Sequence, residues 1–366
     1  MKKVALVHDW LTGMRGGEKV LEVFCTLFPK AKLFTLVHKK GSCSEIIENM
    51  DIETSFLQKF PEIEKNYRYF LPLMPLAIEK FELEEFDLIL SSSHCVAKGV
   101  KKSKMALHIS YIHTPMRYVW DLYDEYFKNS SIVTKFAMKI LRPYLQNWDV
   151  KSSTRVDYFI ANSYNVKERI KRCYGADAEV IYPPVETDFF VPLENYSLSK
   201  EKYFLVVSAF VPYKKIDLVI KTFNNLPYKL KIIGDGPMFN YLKSIAKKNI
   251  EFLGWVEKEK LLFYYQNCVA FIFPQEEDFG ITAVEAQSCG RPVIAYKKGG
   301  ALETVVDGVT GIFFEEQTVE SLTSAIEKFF KTKFYTTKIR ENSLKFSKEN
   351  FKIKIMNFID QKIQNL

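Results

Sequence analysis

The sequence predicts two doubly wound α/β domains in tandem, each built on a parallel sheet. Three observations carry that expectation. Short apolar, β-rich runs alternate with amphipathic stretches along all 366 residues. Within the runs polar and apolar residues alternate little, as expected of strands covered on both faces. One polar, proline-containing segment, PPVETDFFVPLENYSLSKEK at 183–202, interrupts the series and reads as a linker.

The first strand series is expected at 4–8, 32–37, 86–91, 107–113, 158–161 and 179–182. The second is expected at 203–208, 229–233, 251–254, 270–273, 292–295 and 311–313. Helical spacing lies between them, for example at 216–223 and 321–330. At roughly 150 residues per domain the length corresponds to about two domains, assigned to 1–183 and 184–349. A last helix, 350–366, either caps the second domain or crosses back to the first. Sheets of this kind bind ligands at the carboxyl ends of their strands. Two such sheets facing each other would make a cleft.

Composition removes several classes. Apolar residues are 47% and charged residues 26%, which excludes a disordered chain, a collagen and a coiled coil. No apolar run reaches the roughly 18–20 residues that span a bilayer. The opening MKKVALVHDW is broken by His8 and Asp9 too early for a signal-peptide core. A cytoplasmic protein is expected. Its cysteines at 25, 43, 95, 173, 268 and 289, none in a CxxC, are read as free thiols.

The net charge of +8 favours anionic partners: phosphates, nucleotides or an anionic membrane face. Nucleic acid is not expected, because the sequence has no RNP-like pattern, zinc-finger spacing or helical basic region. It has no Asp-x-Asp, HExxH or Cys/His cluster, so no metal is expected, and no GxSxG or Walker A motif. The apolar segment RYFLPLMPLAIEKF at 68–81 could lie on a bilayer or line an acceptor groove; packing into the protein is the reading its length favours.

The segment richest in chemistry is FPQEEDFGITAVEAQSCG at 273–290. A strand ends, three acids follow (Glu276, Glu277, Asp278), Gly280 permits a close approach, and a helix begins. The first amides of that helix, at Gly280, Ile281 and Thr282, form an anion site. Were the whole interval helical, Glu277 and Glu285 would stand about 12 Å apart, close to the reach of a sugar, a diphosphate and a ribose. One carboxylate could then hold sugar hydroxyls and the other ribose hydroxyls. A solvated acidic loop is the competing reading. GGALE at 299–303 places glycines between a strand and a helix again, and IIGDGP at 232–237 is a further strand-to-turn boundary. VVSAFVPYKKIDLVI puts Lys214 and Lys215 in the turn after the strand that opens the second domain, where a lysine can neutralise a diphosphate. In the first domain, His113 begins a polar HTP turn at a strand's carboxyl end, a ligand-facing position. Arg117 and Asp121 lie one helical turn apart and could pair.

In this order the segments resemble the second domain of the family 4 retaining glycosyltransferases, which have the GT-B fold. The matching pieces are VPYKKIDLVI, IIGDGP, FLGW, FPQEEDFGITAVEAQSCGRPVIAYKKGGALETV and GVTGIFF. The first half resembles that family through HDWLTGMRGGEKVLE, SYIHTPMRYVWD, RVDYFIANS and VIYPPVE. The resemblance covers nearly the whole chain and looks closest to bacterial mannosyltransferases of O-antigen and related surface polysaccharides. It implies two Rossmann-like domains facing across a cleft and a retaining transfer, without metal or cofactor, from a nucleotide diphosphate sugar to a glycan or lipid-linked acceptor. GDP-mannose is the donor it favours, with UDP-glucose or UDP-GlcNAc second. It further implies that Glu277 contacts the donor sugar, Glu285 the ribose and Lys214 the diphosphate, helped by Lys215. Phe279, Gly280, Ile281 and Thr282 would line the nucleotide-sugar site, Gly16 and Gly17 the first-domain loop over the phosphates, and His113 would be the active-site histidine. Arg117 and Asp9 are acceptor candidates. Many members carry an arginine just after the strand that opens the second domain; here that position is Ala209. Two rivals stay open: a sugar-nucleotide epimerase or phosphorylase on the same fold, and a non-catalytic subunit of glycan assembly. Peripheral contact with an anionic inner membrane is expected of the first domain.

Overall fold

The computed structural model describes residues 2–121, 123, 127, 131–193 and 201–364. The chain divides into two compact units: residues 1–184 with 351–366, and residues 185–350.

The first unit is built on a seven-stranded, wholly parallel sheet: β1 (Val4–His8), β2 (Lys32–Thr35), β3 (Asp51–Thr54), β4 (Leu88–Ser93), β5 (Leu107–Ile112), β6 (Tyr158–Ala161) and β7 (Ala178–Val180). The spatial order is β3-β2-β1-β4-β5-β6-β7. The central strands β4 (LILSSS) and β5 (LHISYI) are buried along their whole length, polar residues included: the Ser91 hydroxyl lies 2.8 Å from His108 Nε2 and donates to the Ser110 hydroxyl at 2.7 Å. β3, with sequence DIET, is an edge strand not expected from the sequence. It is short and polar, and Lys32 of β2 pairs with its Glu53 at 2.7 Å.

The second unit carries a six-stranded parallel sheet: β8 (Tyr203–Val207), β9 (Lys229–Ile233), β10 (Ile250–Gly254), β11 (Phe271–Phe273), β12 (Val293–Tyr296) and β13 (Gly311–Phe314). Its order is β10-β9-β8-β11-β12-β13. In both sheets the winding reverses beside the first strand, between β1 and β4 and between β8 and β11. Loops leaving the carboxyl ends there diverge, and a ligand fits between them.

The segment read as a linker is in part packed structure. Val185 donates its amide to the Phe346 carbonyl, Phe190 is buried, and Arg340 reaches the Phe190 carbonyl at 2.8 Å. Residues 194–200 of that segment lie outside the described residues. The last helix, Lys348–Gln364, packs on the first unit: Phe351, Ile355 and Ile359 are buried, and the Phe351 ring stacks on Phe24 at 6.1 Å. The 68–81 segment forms a 3-10 turn (Tyr67–Leu73) and a short helix (Met74–Ile78), with Met74, Ala77, Ile78 and Phe81 in the core.

Candidate functional site

In the second unit the loops on either side of the winding reversal come together. Lys214 ends the 3-10 turn Pro212–Lys214 after β8, and its ammonium pairs with Glu277 in the loop after β11. Gln275 donates to the same carboxylate at 2.8 Å. Both charged side chains keep about a sixth to a fifth of their surface, 16% and 21%, so each can be reached from outside. Lys215 turns elsewhere. It sits in the left-handed region at φ 54° and lines a cavity of about 490 Å³ with Asp217, Lys221, Tyr241 and Thr318.

Beyond Glu277 the chain enters the buried helix Ile281–Ser288 through Gly280. Here only glycine fits: φ is 93°, and a Cβ would lie 2.7 Å from the Phe273 ring. With no side chain capping that terminus, the first-turn amides, including those of Ile281 and Thr282, keep the donor capacity that suits an anion. The second glycine loop braces this one. The Gly300 amide donates to the Glu277 carbonyl at 2.8 Å, and a Cβ on Gly300 would lie 2.3 Å from the Phe279 Cα.

Glu285 lies inside the helix at 5% exposure and accepts a hydrogen bond from the buried Tyr265 hydroxyl at 3.1 Å. Burial, with that carboxylate second, pushes the Tyr265 phenol well above its usual range, so it stays a donor. The interval from Glu277 to Glu285 is half loop and half helix, because the helix begins at Ile281; the 12 Å helical spacing expected above does not apply. Phe279 also departs from expectation. Its ring is 3% exposed and packs edge-on to Phe346 at 5.3 Å, so its side chain supports the loop from inside and offers no ligand face. Ala209 is exposed after β8 and contributes no charge there.

In the first unit polar residues gather at the winding reversal, with His8, Glu18 and Ser92 buried and His94 and His113 partly buried. Gly16 and Gly17 open the helix Gly16–Leu27. A Cβ at Gly17 would lie 3.4 Å from the His8 ring and 3.5 Å from His113 Nε2, so the glycine turn rests on two histidines. His113 Nε2 lies 2.8 Å from the Ser92 hydroxyl, and that hydroxyl lies 3.1 Å from His8 Nδ1. The other His8 nitrogen faces Glu18 at 3.9 Å. His94 joins the group, its ring 6.1 Å from His8 and 6.3 Å from His113. Burial, reinforced by His94 and His8, holds His113 well below the ordinary histidine range, and burial likewise lowers His94 against the pull of Asp9. Burial raises the Glu18 carboxyl, but the His8 ring and its own backbone amide outweigh that and keep it below the usual carboxylate range.

Asp9 is not available to an acceptor. It is fully buried; one oxygen accepts from the amides of His94 and Cys95 at 2.7 and 2.9 Å, the other from Val96 and Ala97 at 2.7 and 2.8 Å. It also meets His94 Nδ1 at 3.1 Å. Its work is to hold the loop after β4. The residue after Ala97, Lys98, is 1% exposed and pairs with buried Asp149 at 2.7 Å, anchoring the same loop from behind. Arg117 is half-buried in the segment after His113. Asp121, expected to pair with it, is bound by Arg169 and Arg172 of the helix Tyr164–Tyr174, each at 2.6 Å.

Sequence reasoning missed His8, Glu18, Ser92 and His94. HDW and SSSHC carry polar residues at the carboxyl ends of apolar strands, which is the signal that could have found them.

Among the described residues no group of His, Cys, Asp and Glu is arranged to hold a metal, and no helix is long and apolar enough to cross a membrane.

Two family models match the chain in succession: "Glycosyltransferase Family 4" over residues 35–189 and "Glycosyl transferases group 1" over residues 194–346. The chain belongs to the family 4 glycosyltransferases. It is an enzyme that transfers sugars, and its two parallel sheets have the GT-B fold. An uncharacterized glycosyltransferase of Methanocaldococcus jannaschii is 25% identical over 313 residues, 82% of each protein. A GDP-mannose-dependent phosphatidylinositol monomannoside mannosyltransferase of Mycolicibacterium smegmatis is 29% identical over 188 residues, 44% of this chain and 49% of that one. Among solved structures, a sucrose-phosphate synthase from Thermosynechococcus elongatus superposes over the full length of both chains, with a TM-score of 0.75 at 16% identity.

Proposed function

We propose that this glycosyltransferase moves mannose from GDP-mannose to a glycan or lipid-linked oligosaccharide in surface-polysaccharide synthesis, with retention at the anomeric carbon. The observation that carries the donor half of this reading is the Lys214–Glu277 pair beside the uncapped helix at Gly280. A diphosphate set on those amides draws the ammonium from Glu277, and Glu277 turns to the sugar hydroxyls. As the C1–O bond breaks, the sugar gains oxocarbenium character and the leaving diphosphate gains charge. Lys214 and the amides meet that charge. The acceptor hydroxyl attacks from the face the diphosphate leaves and passes its proton to the departing phosphate oxygen. Glu285, oriented by Tyr265, takes the ribose hydroxyls. No metal is needed in this scheme, since the cations and amides belong to the chain.

Mannose as the sugar is supported by the mycobacterial relative's dependence on GDP-mannose. A lipid-linked acceptor is supported by an exposed apolar row on the helix Ile132–Ser153. Ile132, Phe136, Ile140 and Tyr144, four residues apart, are 86%, 67%, 62% and 49% exposed. Such a row suits the surface of an anionic inner membrane.

The test is nucleotide release from a panel of GDP- and UDP-sugars, with and without acceptor glycan, in excess chelator. Release of GDP from GDP-mannose that depends on acceptor is expected. Turnover of a UDP-sugar alone moves the donor assignment. Turnover of the donor without acceptor points to an epimerase, and loss of activity restored by Mg²⁺ refutes the metal-free scheme. Flotation with anionic vesicles at low salt tests the membrane part: binding by the parent and loss in Phe136→Ser/Ile140→Ser support it, and no binding by the parent removes it.

A further inference from the structure

A serine hydroxyl has one proton. Ser92 is fully buried and stands between two imidazole nitrogens, His8 Nδ1 at 3.1 Å and His113 Nε2 at 2.8 Å. It can donate to one and must accept from the other. What decides the direction lies on the far side of His8. His8 Nε2 is buried and makes no hydrogen bond, and the nearest charge to it is the Glu18 carboxylate at 3.9 Å. That distance is too long for a hydrogen bond but short for an electrostatic interaction in a buried site. A bare nitrogen lone pair facing the carboxylate is repelled; an N–H there is attracted. His8 therefore carries its proton on Nε2, its Nδ1 is bare, and Ser92 donates to it. The Ser92 oxygen then accepts from His113.

We infer that Glu18, His8 and Ser92 form a positioning relay that sets the tautomer of His113, with N–H on Nε2 and Nδ1 left as an acceptor. Glu18 sits in the first turn of the helix that begins at Gly16 and Gly17, and its other oxygen accepts the Arg15 amide at 3.0 Å. The glycine turn and the ring of His113 are thus set by one buried carboxylate. The other titratable groups facing the relay do not compete for these protons. His94 gives its Nδ1 to Asp9 at 3.1 Å. Tyr111, 5.2 Å from the His113 ring, donates its hydroxyl to the Ile181 carbonyl at 2.8 Å. Burial, first of all, raises the Cys43 thiol, which stays protonated at neutral pH.

The inference rests on His113 serving the proposed transfer, but its readout is the ring itself. The full chain, labelled with ¹⁵N-histidine, gives the tautomer of each ring from long-range ¹H–¹⁵N correlations at neutral pH, and His113→Gln identifies the His113 signals. The expected parent state is Nε2–H. A hydrogen bond of ordinary strength sets such a ratio at roughly tenfold, so Ser92→Ala and Glu18→Gln should each bring His113 to a mixture or to Nδ1–H. Ser92→Thr, which keeps the hydroxyl, should restore the parent tautomer. Nδ1–H in the parent overturns the relay, as does a His113 ring unmoved by either Ser92→Ala or Glu18→Gln. Should Glu18→Gln fail to fold, the Ser92→Ala and Ser92→Thr pair decides alone. A His113→Gln enzyme with parental transfer activity removes His113 from the reaction without touching the relay, so the two readings fail separately.

Discussion

The two units share one winding order and place their polar residues at the same topological point, yet they solve opposite electrostatic problems there. In the second unit the charges stay partly exposed: Lys214 and Glu277 pair with each other, and the rigid part of the site is packed glycine. In the first unit the charges are interior and fully committed, Asp9 to four amides and Lys98 to Asp149. Under the proposed function the second unit receives an anion, and for that it needs charges that can change partners. A unit that must hold loops and neutral rings in place needs charges that cannot. The histidines make the same division, for all five, at 8, 38, 94, 108 and 113, belong to the first unit.

Three experiments press on this contrast. The largest effect is expected at Lys98. Lys98→Ala leaves the buried Asp149 charge without its cation, with only the Trp120 and Tyr174 donors at 2.8 and 3.0 Å, which costs about 3–5 kcal/mol of stability. Denaturant unfolding of the first unit would report it, and a loss below about 1 kcal/mol would mean that the pair behaves like a surface one. Next is Lys214→Ala, which should lower kcat about 10²–10³-fold with a smaller change in donor KM, the scale for one preorganised charge at a leaving group. Stability should barely change. A raised KM with parental kcat would make Lys214 a donor anchor only. Glu277→Gln alone shows how much of the loss comes from the carboxylate left behind.

The smallest effect is in pH. Burial lowers His108 from the usual 6.5 to about 4, and His94 and His113 shift in the same direction. A lowered histidine binds its proton first in the unfolded chain. The stability it confers is whole above pH 6.5 and is lost as the pH falls through 4. For His108 alone that is up to about 3 kcal/mol. The second unit has no histidine and should hold its stability over this window. Hydrogen exchange at pH 7 and pH 4.5 would show protection falling in the first unit before the second; equal loss in both would break the contrast.

The strand series was legible because most of its buried parallel strands run apolar on both faces, and observed boundaries fall within a few residues of the expected ones at, for example, β1, β6 and β9. β3 was not, because an exposed edge needs no apolar run; DIET reads as a loop. Lys214, Glu277, Gly280 and Glu285 stood out through their order along the chain and the family resemblance of their segments, since singly a charge or a glycine after a strand is more often a solvated residue or a tight turn. Whether a polar residue faces a ligand or the interior is a matter of its partners, and partners are distant in sequence. Asp9 finds its amides more than eighty residues away, and Phe279 finds Phe346. The same distance hid what stands behind His113, for Ser92, His8 and Glu18 carry no signal one by one.

The return of the Lys348–Gln364 helix to the first unit has a consequence for the order of synthesis. The face formed by Phe24 and Tyr111 receives Phe351 only after all of residues 185–350 have been made. The second unit is one continuous stretch and can close on the ribosome once its own chain has emerged. The first, although translated earlier, waits for residues 351–366 with an aromatic face exposed. During that interval it is the half exposed to chaperones and to self-association. A released chain truncated after residue 350 should therefore be cleaved by protease in its first unit while its second unit is already resistant.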